Sequence, residues 1–205
     1  MQFFELKAHL KDFVVFSIQD IEKADPSFHK QRLSEWQKKG YIKKIRQGFY
    51  IFSDTEINEQ ILFLIANAIN QPSYISLEMA FSLYGLIPEA VYAITSVTSQ
   101  KTNNFKTSLG NFTYTHIKPA LLFGYELREF NAHRYMVAEI EKAVLDYLYV
   151  HHDIKARKDF EGLRFNATEF KARADMNRFK RYELAFDNKA LSTRVNEFLN
   201  YIKHA

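Results

Sequence analysis

Residues 26–52 read PSFHKQRLSEWQKKGYIKKIRQGFYIF. Asp25-Pro26 offers a cap and a first-turn proline, so the spacing predicts a helix from Pro26 to about Lys39, closed by Gly40. Beyond Gly40, YIKKI and FYIF are two short β-prone runs, and Arg46-Gln47-Gly48 between them signals a hairpin. Upstream, Phe3, Leu6, Leu10 and Phe13 recur at helical spacing. Ser17-Ile18-Gln19-Asp20 fits a capping box, with Ile21 and Ala24 extending the apolar face of a second short helix. Three helices followed by a basic-tipped hairpin is the element order of a winged helix-turn-helix.

Charge marks the same stretch. Residues 28–48 carry Lys30, Arg32, Lys38, Lys39, Lys43, Lys44 and Arg46 against Glu35 alone, a net +6. Residues 3–25 sum to −2 and residues 49–99 to −5, although the 205-residue chain is only +4. Positive charge confined between acidic flanks suits a surface that meets phosphates. With Leu33 and Trp36 inward and His29 on the same side, Ser27, Lys30, Gln31, Ser34, Gln37 and Lys38 occupy the opposite face. Gln31 and Ser34 are candidates for base edges, since a Gln amide presents a paired donor and acceptor to adenine. Lys30, Lys38 and Lys39 are candidates for phosphate contact, with Lys43, Lys44, Arg46 and Gln47 tracking the neighbouring backbone or minor groove from the hairpin. These cations are expected to converge on one convex ridge.

The remaining chain predicts an α+β protein: a DNA-binding domain over residues 1–55, then a mixed domain over 56–205 with a helical C-terminus. A helix is expected over 57–69. Ser76 should cap another that ends at Gly85, and strands follow in AVYAITSVTS, NFKTSL, NFTYTHIK and HRYMVA. EIEKAVLDYLYV reads as a helix, and helices continue past Asp153 with turns near Gly162 and Asp187-Asn188.

Several chemistries lack support. There is no Cys, so disulfides, thiolate zinc sites and a cysteine nucleophile are absent. The six glycines stand far apart, with no GxGxxG or GxxxxGK[ST]. No GxSxG setting surrounds any serine. Adjacent His151-His152-Asp153 lacks metal-ligand convergence and reads as a polar helix end. No metal or cofactor is expected. Nor is a membrane span, since no run of 18 apolar residues occurs, and the protein is expected in the cytoplasm, unprocessed. Glu139-Ile140-Glu141-Lys142 superficially matches the ExK half of a Mg²⁺ nuclease core, but HRYMVA supplies no preceding carboxylate; an acidic first turn of an ordinary helix fits better. Between Lys155 and Arg181, nine basic residues interleave with Phe160, Phe165, Phe170 and Phe179. This is a second nucleic-acid surface or, in the favoured reading, amphipathic helices with the rings in the core.

Longer stretches carry a family likeness. Residues 16–52, with Gly40-Tyr41-Ile42 and Gly48-Phe49-Tyr50, resemble the N-terminal winged helix of AbiEi-type antitoxins. Residues 74–117, YISLEMAFSLYGLIPEAVYAITSVTSQKTNNFKTSLGNFTYTHI, and then MVAEIEKAVLDYLYV, resemble that family's second domain. The resemblance implies a transcriptional regulator that binds inverted repeats in its own promoter and serves as antitoxin in a type IV toxin–antitoxin, or abortive-infection, system. Its functional partner would be an AbiEii-like nucleotidyltransferase toxin, opposed without need of a stable complex. No catalysis is implied. The recognition helix varies across the family, so base contacts do not transfer. The two rival readings are a Mg²⁺ nuclease using Glu139, Glu141 and Lys142, and a protein-interaction module with its winged helix as scaffold.

Overall fold

A computed structural model describes residues 2–205 as an α+β protein, with ten α-helices and nine strands in two sheets among the described residues. The first sheet belongs to the N-terminal part: α1 (Phe3–His9), β1 (Phe16–Ser17), α2 (Ile18–Ala24), α3 (Gln31–Lys38), β2 (Ile42–Arg46) and β3 (Phe49–Phe52). The capping box forms as the sequence predicts, with Asp20 N–H donating to Ser17 Oγ at 3.2 Å and Ser17 N–H to Asp20 Oδ2 at 2.8 Å. α1 stops at His9, four residues before Phe13, which is exposed.

α3 begins later than Pro26. Asp25 Oδ1 accepts both the N–H of Ser27 at 3.0 Å and its hydroxyl at 2.6 Å, folding residues 25–30 into turns. Phe28, buried against Trp36 at 5.5 Å between ring centroids, anchors those turns, while His29 is exposed and not inward. Past the C-terminal turn, Gly40 takes φ +71°, the left-handed conformation that ends a helix with least strain in glycine. Gly48, at φ +83°, does the same in the hairpin turn.

The strands order β1-β3-β2, all antiparallel. Central β3 is buried on both faces. Tyr50 and Phe52 join Leu6, Phe16, Ile21, Leu33, Trp36 and Ile42 in an N-terminal core. Phe49 and Ile51 instead pack with Ile45 against α4 (Glu59–Ile69) and the second sheet. Alternation along one strand thus ties two cores together.

The second sheet orders β6-β7-β5-β4-β9-β8, from β4 (Ser73–Ile75), β5 (Ala93–Thr98), β6 (Asn103–Thr107), β7 (Gly110–His116), β8 (Tyr125–Phe130) and β9 (His133–Ala138). Ile75, Ile94, Phe112, Tyr114, Tyr135 and Val137 pack with α4. Tyr74, Val97 and Ala138 pack with α5 (Leu77–Tyr84) and α6 (Ile140–Val150). Short helices α7 (Arg157–Gly162), α8 (Ala167–Arg173) and α9 (Met176–Phe186) and the longer α10 (Lys189–His204) complete that layer. Phe160, Phe165, Phe170 and Phe179 are buried there around Phe198, so the rings are core. Burying each ring contributes on the order of 2–3 kcal/mol. Ser76 stands at the start of α5 but does not cap it; its hydroxyl donates to Asp146 Oδ2 at 2.9 Å instead.

Candidate nucleic-acid interface

The surface of α3 is built around its two buried residues. Leu33 and Trp36 point into the N-terminal core, where Trp36 also packs edge-on to Phe3 at 5.6 Å. Gln31, Ser34, Glu35 and Lys38 are exposed at i, i+3, i+4 and i+7, a single stripe on the opposite side. Lys39 follows at the helix end, also exposed. The stripe differs from the sequence expectation in three residues. Ser27 and Lys30 precede the helix: Ser27 holds the turn through Asp25, and Lys30 pairs with Glu22 at 2.9 Å. Gln37 is half-buried, and its Nε2 donates to the Leu33 carbonyl at 3.0 Å. Glu35, an acid, stands in the stripe instead, four residues after Gln31 and across the helix from Leu33 and Trp36.

The hairpin cations separate as well. Lys43 lies opposite Ile51 and Lys44 opposite Tyr50, so the two lysines leave opposite faces of the sheet. Both are exposed, as is Gln47 at the turn. Arg46 is turned inward. Its Nε donates to the Ile69 carbonyl at 2.7 Å, and its guanidinium lies 4.4 Å from the Phe49 ring centroid and 5.0 Å from that of Phe105 on β6. Burial lowers its pKa, with Tyr114 opposing. The single ridge expected for these cations therefore resolves into three environments. Lys38, Lys39, Lys43 and Lys44 are solvent-facing with no ion pair among the described residues, Lys30 is bound to Glu22, and Arg46 is a joint between the two sheets.

Glu139 and Glu141 of the ExK segment converge on Arg178, whose Nη1 lies 3.2 Å from Glu139 Oε1 and 3.9 Å from Glu141 Oε2, while Lys142 lies apart from both. Glu139 Oε2 accepts the Tyr182 hydroxyl at 2.5 Å, and Glu141 Oε1 accepts the Asp175 N–H at 2.6 Å. Lys142, fully buried, turns away to Asp146 and to the Tyr74 hydroxyl at 2.7 Å. Tyr74 in turn donates to Asp146 Oδ2 at 2.9 Å. Burial pushes the Lys142 pKa down and that of Asp146 up, against their mutual attraction. This knot fastens β4 to α6. At the other end of α6, His151 Nε2 sits 3.3 Å from Glu78 Oε1. No group of three His, Cys, Asp or Glu side chains suited to a metal occurs among the described residues. No described helix is long and apolar enough to cross a membrane.

No family model matches the chain, and no curated protein matches it.

Proposed function

We propose that residues 1–55 form a winged helix-turn-helix that binds duplex DNA, with α3 entering the major groove and the β2–β3 hairpin alongside. The observation that carries this reading is the stripe Gln31-Ser34-Glu35-Lys38, displayed by a helix whose other side is anchored by Leu33 and Trp36. Gln31 and Ser34 offer donors and acceptors to base edges, and Glu35 can accept from a cytosine amino group. Lys38 and Lys39, with Lys43 and Lys44, supply phosphate contacts that fix position without reading sequence. The resemblance of residues 16–52 to AbiEi-type antitoxins supports a site made of inverted repeats in its own promoter, where binding would repress. The resemblance of residues 16–52 and 74–149 to AbiEi-type antitoxins supports adding the second role. Residues 56–205 would then oppose a nucleotidyltransferase-like toxin in the cytoplasm.

The test is a gel shift of the full chain on its own upstream DNA beside a shuffled duplex of equal length and composition. Preferential retardation of the native fragment is expected, with affinity falling steeply as salt rises because bound counterions are released. Equal retardation of both duplexes would overturn the reading.

A further inference from the structure

We propose that two copies of this chain associate through β8, pairing antiparallel across a twofold axis at Leu127. The second sheet has two outer strands, β6 and β8. β6 lies against the hairpin, with Phe105 under Arg46. β8 shows four of its six side chains exposed, including Leu127 at 58% and Tyr125 at 40%. It contains no proline, and its ladder with β9 runs from Tyr125↔Ala138 to Phe130↔His133 without a bulge. Outer strands are commonly blunted by bulges, proline or charge, because an unpaired edge invites another strand; β8 carries only charge, and of both signs.

The sequence Tyr125-Glu126-Leu127-Arg128-Glu129 selects a second copy as the occupant. A dyad at Leu127 places Leu127 opposite Leu127 and Glu126 opposite Arg128 twice, on the two sides of the axis. Within one chain Arg128 Nε already donates to Glu126 Oε1 at 2.7 Å, so the paired edges assemble two carboxylates and two guanidiniums into one alternating cluster. Neighbouring registers are worse. A one-residue slip toward the C-terminus sets Glu126 against Glu129, the opposite slip sets Glu126 against Leu127 and forms no charge pair, and a dyad at Arg128 sets the two arginines against each other. Like charges directly opposed are destabilising. Six residues of strand bury less surface than a permanent dimer requires, so the association is concentration-dependent. None of this depends on DNA binding.

Sedimentation equilibrium of the full chain over a concentration series tests the interface, reading the mass of one or two 24.2 kDa chains. The wild type is expected to approach two chains at the highest concentration. Glu126→Arg alone and Arg128→Glu alone should each remain single, since each homodimer then opposes like charges. Mixed one to one, they should pair, because the cross-strand charges are complementary only between the two variants. Leu127→Lys, at an exposed position, should stay monomeric with unchanged circular dichroism. A wild type that remains single throughout, single variants that still dimerise, or a mixture that fails to pair would overturn the proposal.

Discussion

The Nε–H of Arg46 donates to the Ile69 carbonyl across 2.7 Å, joining the hairpin to the end of α4. Ile69 is fully buried, so no other donor readily replaces the guanidinium. An unpaired buried carbonyl costs about 1–3 kcal/mol. Arg46→Ala should therefore lower unfolding stability by that amount in urea titration, whereas Lys43→Ala should leave the midpoint within error.

The exposed lysines should act on DNA in another way. Lys38→Ala and Lys44→Ala are expected to weaken binding to native and shuffled duplexes alike, each reducing the slope of log affinity against log salt by roughly one. Fluorescence anisotropy across a salt series measures both quantities.

Glu35 gives a prediction of opposite sign. Replacing this acid by Gln removes repulsion from the phosphates, so affinity for shuffled DNA should rise while preference for the native fragment falls. Gln31→Ala should lose preference too, at about 1–3 kcal/mol for a well-made bidentate contact. A competition gel shift separates the two variants.

Lys142 and Asp146 are wholly enclosed. Lys142→Ala strands the carboxylate and should cost about 3–5 kcal/mol, since breaking a buried pair leaves an uncompensated charge. Lys142→Met with Asp146→Asn should recover much of the loss in chemical denaturation, since the amide carries no charge and its oxygen still accepts from the Tyr74 and Ser76 hydroxyls.

Acid should loosen the helix ends. The Ser27 hydroxyl holds the Asp25 carboxyl down to about 2, and the N–H groups of Arg178 and Asn177 hold Asp175 below its usual 3.8. A folded-state pKa below the unfolded one adds stability that is complete above the ordinary value and lost as pH falls through the lowered one. Thermal melts from pH 5 to 2 should show the wild type surrendering its advantage over Asp175→Asn below about pH 4.

Much of this architecture was legible because local chemistry and tertiary packing agree. Ser17 with Asp20, Gly40, Gly48 and the apolar spacing of α4 each specify one outcome. β8 is not legible in the sequence because Glu126 and Arg128 interrupt it and a strand with one neighbour needs no apolar alternation. β1 and β4, at two and three residues, are too short to show a period. The start of α3 is not fixed by sequence because Asp25-Pro26 suits a tight turn as well as a helix start, and only the burial of Phe28 decides between them. Glu35 belongs to the exposed stripe by spacing alone, four residues after Gln31 and three before Lys38, wherever the helix begins. Arg46 read as one more surface cation, since nothing local reveals a carbonyl supplied from 23 residues away.

The two-sided burial of β3 makes its frame unforgiving. Sliding the strand by a single residue would send Tyr50 and Phe52 toward α4 and drop Phe49 and Ile51 among the N-terminal helices, spoiling two interiors with one error. A one-residue insertion in the hairpin is thus punished twice, and a fragment cut after residue 55 would carry a raw, oily flank where its other half had been.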